Sequence, residues 1–262
     1  MEFAADDYSD AAMKSRREPC QKLVRRKQWP AWVACWSLAV AAIVPVVAGA
    51  AAPDTIAERV RPCTTCHGRE GRATNDGYFP RIAGKPAGYL YNQLLSFRDG
   101  RRDYAPMVYL VQYLSDDYLR EMAEYFAGLD VPYPPPPPAS ASPATLARGE
   151  ALVFDGDAAR NLPACVRCHG SGLTGVNPAI PGVLGLPREY LLAQLGAWRS
   201  GHLRSLAPDC MADVASRLSE DDVVAVSAWL ASRPVPRNAN PAPVLTAPLP
   251  LRCGSVPGAA SP

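Results

Sequence analysis

"PACVRCHG", residues 163–170, sets two cysteines three apart with a histidine directly behind them. "PCTTCHG", residues 62–68, repeats the arrangement about a hundred residues earlier. On a helical turn residues i and i+3 share a face, so both sulfurs can reach one flat ligand. The histidine, at i+4 from the first cysteine, points the same way. This is the geometry of a porphyrin held by two thioether bonds with an imidazole on its iron, and Cys-x-x-Cys-His is the attachment signal for it. Cys63, Cys66, Cys165 and Cys168 are therefore candidate covalent attachment points for two haem c groups, and His67 and His169 are candidate iron ligands. Zinc would need both cysteine pairs to converge on one ion, yet each pair sits in its own half of the chain. A thioredoxin-like dithiol belongs beside a βαβ pattern, which the sequence lacks.

The halves are a duplication. "FPRIAGKPAGYLYNQLLSFRDG" (79–100) matches "IPGVLGLPREYLLAQLGAWRSG" (180–201) at a constant offset of 101, and "LSDDYLREMAEYFAGL" (114–129) matches "LSEDDVVAVSAWLASR" (218–233) at 104. A period this long means tandem domains rather than a solenoid. Between them, "DVPYPPPPPASASPAT" (130–145) contains Pro134 to Pro138, which predicts a stiff spacer of about 15 Å. The divisions are a first domain over 51–130, a proline-rich linker over 131–145, a second domain over 146–233 and a Pro/Ala-rich, irregular tail over 234–262.

Each half reads as helices. Leu90, Leu94 and Phe97 recur at i, i+4 and i+7, as do Leu191, Leu195 and Trp198. Pro86 and Pro187 open these segments and Gly100 and Gly201 close them. A last helix starts at Ser115 or Ser219, each followed by acids suited to a helix N-terminus. Its apolar stripe is Leu119, Met122 and Phe126 in one copy, and Val223, Val226 and Leu230 in the other. No run alternates as a strand does, so the fold class is all-α.

The chain has 262 residues, with 27 basic against 25 acidic side chains. That balance lacks the basic footprint of a nucleic-acid binder. Residues 1–50 read as a secretory signal: seven Lys/Arg between Lys14 and Lys27, the uncharged stretch 31–50, and Ala48-Gly49-Ala50 as a cleavage site. A start at Met13 and an uncleaved membrane anchor are the alternatives for this segment; a membrane enters only in the second case. Either way the remainder is exported, and the expected compartment is the periplasm. "FRDGRR", with Arg98, Arg101 and Arg102, reads as a solvated turn.

An iron held by one histidine needs a sixth ligand, and that ligand decides the function. Met107 lies 40 residues after His67 and Met211 lies 42 after His169, both between the second and last helices of their repeat. Met122 sits on a helical apolar stripe and reads as core. His202 is the alternative to Met211 and would give a bis-histidine iron. Thioether ligation raises the potential relative to histidine and closes the coordination sphere. A saturated iron passes electrons and activates no substrate, so an electron-transfer protein is expected, not an enzyme.

With "CTTCHG", "CVRCHG", the two duplicated segments and the two Met-containing stretches in place, residues 54–233 resemble the two-haem class I cytochromes c of the bacterial periplasm, the cytochrome c-four type. The resemblance implies two tandem class I cytochrome c domains about a pseudo-two-fold axis. It implies an electron carrier whose redox partners are a membrane oxidase or a periplasmic dehydrogenase. It also implies that the carbonyls of Pro80 and Pro181 accept a hydrogen bond from the ligand histidines. A cytochrome subunit of a dehydrogenase complex is the second reading, and a two-haem peroxidase the third. Cys210 and Cys253 remain, and in an oxidising compartment spare cysteines tend to pair; their disulfide would pin the tail over the second haem loop.

Overall fold

The computed structural model describes residues 54–74 and 77–257. The signal segment, with Cys20, Cys35 and the uncharged stretch 31–50, lies outside the described residues. Among those described, no helix is long and apolar enough to cross a membrane.

The first repeat contains α1 (Ile56–Arg59), α2 (Arg61–His67), α3 (Ala87–Arg98), α4 (Ala105–Val111) and α5 (Asp116–Ala127). The second contains α6 (Pro143–Phe154), α7 (Val166–His169), α8 (Arg188–Arg199), α9 (Cys210–Arg217) and α10 (Glu220–Ala231). Local chemistry explains the boundaries. Pro86 and Pro187 stand extended at the N-caps of α3 and α8, where a missing N–H costs nothing. Gly100 and Gly201 follow those helices at φ +74° and +75°, a conformation glycine adopts without strain. The Ser115 hydroxyl accepts from the Tyr118 amide at the start of α5. Ser219 and Asp222 form a reciprocal capping box on α10.

α3 packs on α5 and α8 on α10. The predicted stripes are the buried ones: Leu90, Leu119, Met122 and Phe126 in one core, and Leu191, Leu195, Val223, Val226 and Leu230 in the other. Three features depart from the sequence reading. The stretches carrying Met107 and Met211 are short helices rather than loops; seven or eight residues are too few to show a period, and α9 relies on the Asp209 carboxylate accepting from Ala212 N at 3.1 Å. A two-stranded antiparallel ribbon, β1 (Gly175–Val176) with β2 (Ile180–Pro181), interrupts the otherwise helical second repeat. The twelve-residue α6 lies along α10. Gly149 permits that approach, since a Cβ there would stand 2.2 Å from the Ala225 carbonyl oxygen.

The repeats touch despite the proline spacer, and equivalent residues meet. Arg102 pairs in an antiparallel bridge with Leu203, its own counterpart 101 positions on. The Arg102 guanidinium donates to Gln93 and, at 2.7 Å, to the equivalent Gln194. Tyr89 and Tyr190, also equivalent, are hydrogen-bonded. Contacts between like positions mark a pseudo-two-fold axis. "FRDGRR" is a solvated turn at its tip, where Asp99 and Gly100 are exposed and Arg98 and Arg101 pair with Asp99 and Asp116, but its end is not: the Arg101 carbonyl accepts from Arg204 N at 3.0 Å, and Arg102 spans the axis. The linker is seated as well. Tyr133 lies 3.8 Å under the Arg81 guanidinium of the first repeat, and a Cβ at Gly185 of the second would strike its ring.

Candidate haem-binding sites

Each Cys-x-x-Cys-His ends a short helix at a left-handed glycine, Gly68 after α2 and Gly170 after α7. The sharp exit turns the chain back towards the histidine. His67 Nδ1 donates to the Pro80 carbonyl at 2.8 Å, and His169 Nδ1 donates to the Pro181 carbonyl at 2.7 Å. A carbonyl can only accept, so Nδ1 carries the proton and Nε2 keeps its lone pair for a metal. Burial lowers the affinity of both rings for a second proton, against the pull of the proline carbonyls. Each is thus held as the neutral, oriented ligand that iron requires.

Cys63, Cys66, Cys165 and Cys168 enter no disulfide. Burial pushes Cys165 up to about 12, with the neighbouring Cys168 adding to it, and raises Cys63 and Cys168. Cys63, Cys165 and Cys168 are poor thiolates and so poor zinc ligands in this setting.

One continuous cavity of about 690 Å³ is bordered by cysteines of both motifs and by His67, Met107, His169 and Met211. Met107 packs against the first core and Met211 against the second. His202 reaches the cavity rim but is exposed, with Nδ1 2.9 Å from the Ser200 hydroxyl. Met122 is buried beside Leu119 and Phe126. The cavity also holds an orphan: Trp198 Nε1 is buried without a partner, at the position Phe97 occupies in the first repeat. Large apolar space, paired cysteines and a lone-pair nitrogen in each repeat are what a haem c group needs, and the residues fit it.

Cys210 and Cys253 are joined by a disulfide, next to Met211. The tail on both sides of Cys253 is irregular but seated. Ala242 exchanges backbone hydrogen bonds with Gly175 and Asn177 at 2.9 and 2.8 Å. Leu249 is buried against Val176 and Ile180, and the Ser255 carbonyl accepts from Asn92 of α3 at 2.9 Å. The sequence reading missed Arg81, Lys85 and Tyr133 between the repeats, since nothing in local pattern marks a residue that packs on another domain. The pairs Tyr89/Tyr190 and Gln93/Gln194 carried one signal, their identity across the 101-residue offset.

Two haem c sites of this kind, built on duplicated helical units, define a dihaem c-type electron-transfer protein. No family model matches the chain. It is 36% identical over 186 residues to a thiosulfate dehydrogenase electron acceptor of Thiomonas intermedia, covering 71% of this chain and 83% of that one. It is 33% identical over 171 residues to cytochrome c4 of Pseudomonas aeruginosa, covering 64% and 82%. The crystal structure of reduced recombinant cytochrome c4 from Pseudomonas stutzeri superposes with a TM-score of 0.59 at 28% identity, over 68% of this chain and 96% of that one. A thiosulfate dehydrogenase (TsdBA) of Marichromatium purpuratum superposes with a TM-score of 0.60 at 34% identity, and there this chain spans 36% of the other's length. The chain belongs to the cytochrome c4 family: it carries two covalently bound haem c groups and works as an electron carrier, not an enzyme.

Proposed function

We propose that this cytochrome accepts electrons from a periplasmic dehydrogenase, of the kind that oxidises thiosulfate, and passes them to a membrane oxidase. In this reading the haem groups are attached at Cys63/Cys66 and Cys165/Cys168. His67 with Met107, and His169 with Met211, are the axial pairs, and Pro80 and Pro181 orient the histidines. The domains run over 51–130 and 146–233, joined by 131–145 and followed by the tail 234–262. When bound, the haem iron supplies a one-electron couple, and this chain's residues hold it, exclude water and set its potential. The observation that carries the reading is the repeated pair of Nδ1–carbonyl bonds at 2.7–2.8 Å, with a methionine on the same cavity each time. The donor rests on the names of relatives that are electron acceptors of thiosulfate dehydrogenase.

The test is a visible spectrum of the oxidised protein. Met107→Ala and Met211→Ala should each remove about half of the weak methionine–ferric iron band at the red end, and the double variant all of it. A band untouched by either change would overturn the ligand assignment. Rapid mixing with a purified thiosulfate dehydrogenase and thiosulfate should reduce both haems, and no reduction would remove that donor.

A further inference from the structure

Lys85 is a buried lysine at the border of the haem cavity. Its residue exposure is 4%, and among the described residues it enters no ion pair. An ammonium withdrawn from water is costly unless something compensates it. Here the compensation comes from the other repeat and from the linker: Nζ donates to the Gly182 carbonyl at 2.8 Å, and the Tyr133 ring of the linker lies 6.0 Å away. Gly182 follows Pro181, whose carbonyl holds His169 Nδ1. Its backbone is fixed as well, because a Cβ there would stand 2.4 Å from the Thr174 carbonyl oxygen.

The arrangement has no mirror image. At the 101-residue offset, Arg81 and Lys85 of "PRIAGKP" become Gly182 and Leu186 of "PGVLGLP". The first repeat thus places two cations at the interface, and the second answers with a carbonyl and an apolar side chain. Burial, with the Arg81 guanidinium beside it, brings the Lys85 ammonium down to about 7. At pH 6 it carries its charge.

We propose that Lys85 is a positioning residue acting across the pseudo-two-fold axis, its buried charge on the Gly182 carbonyl raising the potential of the second haem above what its own repeat would give. The physical reason is Coulombic. Oxidation adds a positive charge to the iron, and a nearby cation in a weakly polarisable interior opposes it. The interface between the repeats is therefore part of the second redox site, which depends on the first repeat in a way the first does not depend on it. This rests on the ligand assignment proposed above.

The experiment uses the full haem-loaded protein at pH 6, with both couples followed by spectroelectrochemistry and assigned through the Met107→Ala and Met211→Ala proteins. Lys85→Met should shift the reduction equilibrium of the second haem about tenfold towards the ferric state, which is about 59 mV for a one-electron couple, and move the first haem less. Lys85→Gln keeps a donor for the Gly182 carbonyl without the charge, and it should shift the second couple in the same direction by at least threefold. The proposal falls if the second couple moves less than threefold in Lys85→Met, if the first moves as much, or if Lys85→Gln retains the parental value. Retention of the methionine band in both variants shows that the sites are intact, so these failures would leave the ligand assignment standing.

Discussion

Set side by side at their sequence offsets, the two repeats solve the same problem with different surroundings. Near Met107, Tyr109, Leu110 and Tyr113 are exposed, the last at 90%. Their counterparts near Met211 are Asp213, Val214 and Arg217, where Asp213 and Arg217 pair at 2.6 Å across one helical turn. The first repeat starts with the four-residue α1; the second has the full α6 seated against α10. Tyr118 of the first repeat stands where the second has Asp222, a buried carboxylate held by Arg148 and Arg160. The tail, finally, covers the second repeat's ribbon and Met helix, and meets the first repeat where the Ser255 carbonyl accepts from Asn92. Duplication kept the Cys-x-x-Cys-His motifs, a methionine on the cavity and the α3/α5 and α8/α10 crossings, while the packing around them differs. The second site is braced from three sides, and the first leaves aromatic surface beside its methionine, the kind of surface a transient redox partner can use.

This comparison can be broken at each brace, starting with the most costly. Cys253→Ser removes a link that closes 43 residues of chain and is worth about 4 kcal/mol by chain entropy. The expected outcome is a lower melting temperature and carbon monoxide binding to the ferrous second haem, with the first haem unreactive. Equal reactivity at both haems, or at neither, would show that the tail does not brace Met211.

Gly149→Ala should cost about 3 kcal/mol, because its Cβ would meet the Ala225 backbone at 2.2 Å and neither helix can yield without moving the other. Followed on heating by the methionine–ferric iron band, with the two haems told apart through the Met107→Ala and Met211→Ala backgrounds, the second repeat should melt first.

The smallest effect is expected at Asp222. Burial opposes its ionisation, but hydrogen bonds from Arg160, Arg148 and the Ser219 amide win and hold the carboxyl well below the usual carboxylate range. Its folded pKa is depressed, so its contribution is present above the ordinary aspartate value of about 3.9 and is lost as pH falls below it. Asp222→Asn should remove about 2 kcal/mol at pH 7, since the two arginines are partly exposed and screened. The difference from the parent should vanish in strong acid. A constant difference from pH 7 to pH 2 would contradict the sign.

Much of the fold was legible because its signals are local. Pro86, Gly100, Ser115 and their counterparts punctuate helices by backbone preference alone, and Leu90 or Val226 reveal a buried face by recurring at helical spacing. The short α4 and α9 were not legible, because one or two turns show no period and their stability comes from packing. Arg102 misled the reading for a related reason: three arginines near a Gly look like a solvated turn until a second domain arrives to use them.

The sequence by itself determined that the chain takes two haem c groups. Cys-x-x-Cys-His is a covalent instruction, and its duplication, with the repeated helices around it, fixes two sites of one type. Only the tertiary structure decided that these sites are unequal neighbours: that Lys85 of one repeat rests on the carbonyl next to the other's histidine support, and that the tail braces a single methionine. Local pattern records what a residue does to its own helix. A buried charge or a strap acts through space on residues about a hundred positions away, and its energy exists only once burial has taken the water out from between them.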